Sequence, residues 1–413
     1  MEKSHFMKKE HSTTISRRSF IKATATTAVT FSIVSPQLVR GSEANSKINI
    51  GIIGCGGRGQ WITDLFQKNG NYNIAAVSDY FQDRVDSAGK RFNVPESNRF
   101  TGLNGYKRML DLKIDAVAIE TPPYFHPQQA ADAIDAGKHV YLAKPIAVDV
   151  PGCMSISESG KKATGKKLVF LVDFQTRAHP AYQEVVNRAY KGDIGKIITV
   201  FAEYQTNLMF ESTDAYLKKD PTNPEYRLRS WGVDRILSGD VITEQNIHTL
   251  DVATWFINAD PIKAYGTGGK TRPFVGDCWD HFAVIYYFPN DIVCVFCSKQ
   301  VGFGFDDIMC RVHGTTGTIE TYYGGKVWMR SREDGYNGDT RNLYEDGTVR
   351  NIARFYNDIV KGDFSNPTVS PSVRSNLTTI LGRQAAYKNS EVTWDQMMNS
   401  GEKFEFNTKG LKI

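Results

Sequence analysis

The chain has 413 residues, 41% of them hydrophobic and 23% charged, which is ordinary for a globular protein and long enough for two domains with sizeable cores. Its net charge of +5 sits mostly at one end: residues 1–44 hold seven Lys/Arg against three Glu and so carry +4, leaving +1 on all that follows. A nearly neutral body excludes the basic footprint of a nucleic-acid-binding surface.

The basic end reads as an export signal. Ser16-Arg-Arg-Ser-Phe-Ile-Lys22 precedes a weakly apolar run from Ala23 to Val39, and Ser42-Glu-Ala44 offers the small residues of a cleavage site. The pattern predicts a twin-arginine signal over residues 1–44 and a periplasmic destination. The apolar run is too short and too rich in threonine for a stable membrane span. The ordinary alternative is an exposed basic tail.

Residues 48–53, Ile-Asn-Ile-Gly-Ile-Ile, have the near-continuous apolar character of a buried parallel strand. The strand breaks into Gly54-Cys55-Gly56-Gly57-Arg58-Gly59, and a helix-like run follows to Lys68. In a dinucleotide-binding turn, Gly54 permits the bend, Gly56 lets a pyrophosphate approach bare backbone, and Gly59 lets helix and strand pack closely. The next apolar run, residues 74–79, ends in Asp79, 20 residues after Gly59, where a ribose-binding carboxylate is expected. An acid there favours NAD over NADP, because it accepts from a 2′-hydroxyl and repels a 2′-phosphate. Asp79 as a helix cap is the plainer alternative. A cofactor held tightly enough to be loaded before export fits the twin-arginine signal.

The alternation continues with a helix over 82–92, a strand over 114–120 stopped by Thr121-Pro122-Pro123, a helix over 127–136 and a strand over 139–142. Ala143-Lys144-Pro145 follows at once, then a helix over 151–164 and a strand over 168–173. The fold class expected is α/β, with a doubly wound parallel sheet in a domain over residues 45–175. Asp79, Thr121, Lys144 and Asp173 fall at predicted strand ends, where such sheets bind ligands.

From about Pro180 the pattern changes to an α+β domain over residues 176–413, whose last segment is expected to pack back on the first domain. After a helix over 180–190, strands are predicted over 197–205, 262–267, 281–288, 292–299, 309–313 and 317–321, joined by short turns into a mainly antiparallel sheet with one open face. Helices are expected over 351–362 and 373–388, and an edge strand over 402–409. Cys294 and Cys297 lie in one predicted strand, so they point to opposite faces and suit neither a metal pair nor a redox pair.

Within Ser238–Asp251, Glu244, His248 and Asp251 stand at i, i+4 and i+7, one face of a helix begun by Glu244. That spacing also suits a metal face, but one histidine and two carboxylates are a thin ligand set, and no metal is expected. The plainer reading is a capping acid and a satisfied surface histidine.

Gly54-Cys-Gly-Gly-Arg-Gly59, Thr121-Pro-Pro-Tyr-Phe-His126, Ala136-Gly-Lys-His-Val140 and Lys144-Pro145 together resemble the glucose–fructose oxidoreductase/inositol dehydrogenase (Gfo/Idh/MocA) family, over nearly everything after residue 46. The resemblance implies NAD-dependent oxidation or reduction of a ring carbon in a sugar or cyclitol, and a homo-oligomer formed through the open sheet. Some relatives instead cleave glycosides through a transient keto sugar. It implies catalytic roles for Lys144 and His248, with Glu244 where the family usually has Asp. His248 has the intrinsic pKa of a general base, and Lys144 suits a proton relay or carbonyl polarisation; for an arbitrary lysine the alternative is a snorkelling surface residue. Ala143 departs from the pattern, since the family usually has Glu before Lys-Pro, and Glu244 is the expected compensation.

The expected cofactor contacts are Gly54, Cys55, Gly56, Gly57, Arg58, Gly59, Asp79, Thr121, Pro122, His126 and Lys144. The expected substrate contacts are Arg177, Tyr204, Trp231, Asn246 and His248, with Gln205 and Asn207 beside Tyr204. A surface ion pair for Arg177 and simple packing for Trp231 are the alternatives. The function expected is an exported NAD-dependent oxidoreductase of a sugar, glycoside or cyclitol. An NAD-dependent glycosidase and a redox-silent binding protein are the alternatives.

Overall fold

In the computed structural model, which describes residues 47–413 except Leu208, six parallel strands form the first sheet. They are β1 (Ile48–Ile53), β2 (Tyr72–Asp79), β3 (Arg99–Thr101), β4 (Ala116–Ile119), β5 (His139–Ala143) and β6 (Phe170–Asp173), in the order β3-β2-β1-β4-β5-β6. The predicted twin-arginine signal lies outside the described residues. β4 and β6 are buried at every position, which is why they read as unbroken apolar runs rather than alternating ones. Helices pack on both faces, and two cores result, one including Ile52, Phe66 and Tyr141, the other including Ile119, Leu142 and Phe170. β3, three residues at the sheet edge, and the helix Gly105–Leu110 beyond it were not predicted; elements that short carry little periodicity.

The second sheet holds β7 (Ile197–Thr206), β8 (Lys263–Gly269), β9 (His281–Tyr287), β10 (Val293–Gln300), β11 (Asp307–Gly314), β12 (Gly317–Tyr322), β13 (Lys326–Ser331), β14 (Gly335–Asp339) and β15 (Glu391–Thr393). The order is β14-β13-β12-β11-β7-β10-β9-β8-β15. β7 and β10 run parallel, and the other neighbours antiparallel. Along β10, Cys294, Phe296, Ser298 and Gln300 are buried and the residues between them are half-exposed, so Cys294 and Cys297 do face opposite ways. Helices Ile247–Ile257 and Val369–Lys388 cover the inner face. The outer face leaves Tyr265, Ile285 and Tyr287 exposed.

Three expectations change. The helix predicted over 351–362 starts at Leu343 and the one predicted over 373–388 at Val369. Residues 402–409 form no strand: Glu402 accepts from Arg383 at 3.1 Å and Gln384 at 2.8 Å on helix Val369–Lys388, and the chain then reaches the first domain, where Tyr124 Oη accepts from the Phe406 amide at 3.2 Å. The alternation in the tail is real, but helices, not a neighbouring strand, receive its buried side: Arg383 of helix Val369–Lys388 lies over the Phe404 ring, and Phe406 packs with Leu228 and Leu237. Finally, Glu244 and His248 do not share one helix: Val241–Glu244 ends before Ile247–Ile257 begins, with Asn246 between them at the N-cap position, where its side chain makes no capping bond.

Candidate active site

The glycine turn after β1 lines a cleft with Asp79, Arg84, Thr121 and Pro122. Gly54 has φ +100°, and a Cβ there would lie 2.6 Å from the carbonyl carbon of Glu120. A Cβ on Gly59 would lie 1.9 Å from the Gly54 carbonyl oxygen, whereas Gly57 faces open space. The turn therefore presents bare backbone at the start of helix Gly57–Asn69, the arrangement that receives a pyrophosphate. Asp79 accepts from the Cys55 amide at 2.8 Å and from the Phe81 amide at 3.0 Å. Burial raises its pKa, opposed by Arg84. The Arg84 guanidinium lies 3.7 Å from where a Gly56 Cβ would be, a cation over the phosphate turn that the sequence reading missed. These residues fit a dinucleotide.

Four predicted contacts are placed differently. Arg58 borders the cleft, but its guanidinium turns inward to Asp173 Oδ2 at 2.6 Å, Glu120 Oε2 at 3.1 Å and Tyr344 Oη at 2.5 Å. His126 is buried behind the cleft, with Nδ1 2.8 Å from Pro145 O and Nε2 2.7 Å from Thr121 O, and its neutral ring donates to one of these two strand-end carbonyls. Trp231 lies in the cofactor cleft with Leu228, packed in a cluster with Phe81 and Phe406. Arg177 is held by Asp251 through contacts of 3.0, 2.9 and 2.9 Å, and Ser375 Oγ adds a fourth bond to that carboxylate at 2.6 Å. The acid three residues after His248 thus ties helices together.

The groups that could act on a substrate gather beside the cleft. Lys144 Nζ donates to the main-chain carbonyl of Glu244 at 2.7 Å and stands 3.5 Å from Glu244 Oε1. Burial lowers the Lys144 pKa, with Glu244 opposing and Arg58 adding to the fall. Burial, then Lys144 and Arg58, drive His248 well below its ordinary value, so its imidazole is neutral across the physiological range. Among the described residues, His248 Nδ1 has no hydrogen-bond partner, and the same holds for Glu244 Oε2, both amide atoms of Asn246, and Ser298 Oγ. Buried polar atoms are normally paired, so this group has the character of a site awaiting hydroxyls. Tyr204 stacks along His248 with centroids 6.5 Å apart, and Tyr323 meets it edge-on at 5.1 Å.

Gln205, one residue on from Tyr204, points to the other sheet face and donates to Cys297 Sγ at 3.3 Å, while Asn207 donates to Asp306 at 3.0 Å. Ser298, Tyr323 and Glu120 escaped the sequence reading; the first lies in β10 and the second just after β12, strands whose order no local pattern encodes. Among the described residues no group of three metal-ligating side chains occurs.

Two family models match the chain. That for the oxidoreductase family with an NAD-binding Rossmann fold covers residues 48–172, and that for the GFO/IDH/MocA C-terminal domain covers residues 182–320. An inositol 2-dehydrogenase of Acidothermus cellulolyticus is 24% identical over 66% of this chain and 72% of its own. Scyllo-inositol dehydrogenase of Lactobacillus casei, solved with NAD(H) and scyllo-inositol, superposes with a TM-score of 0.66 at 20% identity, covering 85% of this chain and 100% of its own. Aldose-aldose oxidoreductase of Caulobacter crescentus superposes with a TM-score of 0.68 at 19% identity, covering 84% of this chain and 99% of its own.

Proposed function

With both of its halves matched, the chain belongs to the Gfo/Idh/MocA oxidoreductase family, and on that premise we propose that it moves a hydride between NAD and a secondary ring hydroxyl of a sugar, glycoside or cyclitol. The observation that carries this reading is the neutral, buried His248, with Nδ1 unpartnered, set among Lys144, Glu244 and Asn246. NAD, when bound, supplies the hydride acceptor. His248 takes the hydroxyl proton as general base. Lys144, anchored on the Glu244 carbonyl, donates to the reacting oxygen and stabilises its developing charge. Asn246 and Ser298 orient the remaining hydroxyls. The inositol dehydrogenases and sugar oxidoreductase among the relatives support a polyol ring as substrate.

The protein is further proposed to be exported by the twin-arginine route to the periplasm, holding its cofactor tightly. Support comes from Ser16-Arg-Arg-Ser-Phe-Ile-Lys22 and from a clasp beside Asp79: Arg229 pairs with Asp83 at 2.6 and 3.0 Å, and Tyr80 Oη donates to Glu225 at 2.6 Å. The exposed Tyr265, Ile285 and Tyr287 on the outer sheet face support self-association there. One observation favours the NAD-dependent glycosidase as second reading. Glu244 Oε2 is unpartnered beside His248's two flanking tyrosines, which leaves a carboxylate available as the extra acid/base that eliminating an aglycone requires.

Mass spectrometry of products from a panel of α- and β-glucosides and cyclitols tests these readings. A ring product lighter by two hydrogens identifies the dehydrogenase. Free sugar and aglycone without net redox change identify the glycosidase. Bound nucleotide with no product from any member of the panel would overturn both in favour of a redox-silent binding protein.

A further inference from the structure

In the first sheet the strand order reverses between β1 and β4, and a dinucleotide lies across that point. Lys144 follows β5 on one side. On the other, Asp79, Tyr80 and Phe81 at the end of β2 and Gly102 and Leu103 after β3 wall the cleft. Asp79, as the ribose carboxylate, marks this as the adenosine end. Both of its loops are held by a distant part of the chain. The Leu103 amide donates to Lys412 O at 2.9 Å, and the Lys412 amide donates to Tyr80 Oη at 3.1 Å. Lys412 Nζ adds a bond to Thr101 Oγ1 at 2.9 Å. Gly102 has φ +90°, and a Cβ there would come within 3.2 Å of the Ile413 main chain, so a bare backbone lets the segment run this close. Phe406 and Leu411 are buried in one cluster with Phe81 and Leu228, and Tyr80, Leu103 and Trp231 pack against it. Tyr80 Oη accepts from Lys412 while it donates to Glu225 at 2.6 Å. One hydroxyl thus joins a cleft loop, the 406–412 segment and the second domain.

We propose that residues 406–412 belong to the cofactor site, as the segment that sets the adenosine wall in place and so slows the release of NAD. They stand behind the wall rather than in it, and act through Tyr80, Phe81 and Leu103 as positioning residues. The apolar side chains of Phe406 and Leu411 seat the segment, and its main-chain bonds fix it against both loops. A loop that must be ordered at the moment of binding costs affinity, and one already held in place does not. The segment therefore preorganises the wall. Conversely, a nucleotide that packs against Tyr80 and Leu103 stabilises the segment behind them, since coupling between two sites is reciprocal.

The role of the segment rests on the tight retention of cofactor proposed above, so the test uses ADP-ribose, which fills the adenosine end without redox chemistry. Hydrogen exchange is followed in the full-length protein with and without saturating ADP-ribose. The amides of Leu103 and Lys412 are expected to exchange several-fold more slowly with the ligand bound. No slowing overturns the proposal, and this measurement needs no variant. Leu411→Ala loosens the segment in its seat without altering a residue that lines the cleft. It is expected to weaken ADP-ribose binding by about tenfold, read by calorimetry, mostly through faster release. A lower melting temperature with unchanged ADP-ribose affinity would mark the segment as structural only and overturn the proposal. Failure of the retention reading would look different: rapid loss of NAD from the wild type, with these ADP-ribose effects intact. Failure of the oxidoreductase reading would leave the same effects in place and give no turnover on any ring alcohol.

Discussion

Lys144 Nζ donates to the main-chain carbonyl of Glu244 at 2.7 Å, while the carboxylate of the same residue stands 3.5 Å away. One residue thus both positions the lysine and tunes its charge, and substitution separates the two effects. Glu244→Gln keeps the carbonyl and removes the charge, so Lys144 should lose its proton more easily. The alkaline limb of kcat/KM for alcohol oxidation, where the Lys144 ammonium is lost, is expected to move about one unit to lower pH, with the fold unchanged. Lys144→Met should cost on the order of 10²–10⁴ in kcat. An unchanged rate and pH profile in Glu244→Gln would remove Glu244 from the mechanism.

His126 should make stability depend on acid pH. Burial pulls its pKa from 6.5 down to about 4, opposed by the two carbonyls that face its ring. Because the folded-state value is depressed, the unfolded chain takes up this proton first as pH falls. Stability is therefore full above about 6.5 and declines toward 4, by roughly 3 kcal/mol for a shift of this size. Denaturant unfolding at pH 7 and pH 4.5 should show a smaller loss in His126→Asn than in the wild type.

Gly59→Ala tests the phosphate turn. The added methyl would meet the Gly54 carbonyl oxygen at 1.9 Å, and both partners are main chain at a turn that cannot open without moving β1. NAD affinity, read by calorimetry, is expected to fall at least about tenfold, a loss of about 1.4 kcal/mol. Gly57→Ala faces open space and should leave the protein's own stability unchanged.

Arg229 tests retention of the cofactor. Besides pairing with Asp83, its guanidinium lies 3.7 Å from the centre of the Phe81 ring. Arg229→Ala removes both contacts from the clasp beside Asp79. The rate of NAD release, followed by displacement fluorescence, is expected to rise several-fold, with the association rate little changed, as is usual for contacts that hold a complex together. Equal release rates would place retention elsewhere in the cleft.

The first domain was legible because its signals are local. A buried parallel strand is a short apolar run, its helix starts at a glycine turn, and Asp79 follows within one β-α-β unit. The substrate side was legible only in part. Tyr204, Asn246 and His248 do gather beside Lys144, but Gln205 falls on the opposite face because side chains alternate along β7. Arg177 looked like a substrate donor until its partner, 74 positions away, came into view. Trp231 sits over the cofactor cleft because the segment that carries it folds back onto the first domain. Glu120 is visible in the sequence as a strand's last residue and nothing more; only the fold brings it to Arg58, 3.1 Å away.

By itself the sequence determined the elements, the dinucleotide turn, and the identity of a lysine and a histidine able to exchange protons, because those depend on neighbours a few residues apart. Which carboxylates surround that lysine, which cations are already paired, and which polar atoms remain open to a substrate were decided by tertiary structure. Pairing and burial depend on what arrives from distant strands, and electrostatic interactions strengthen as those arrivals exclude water.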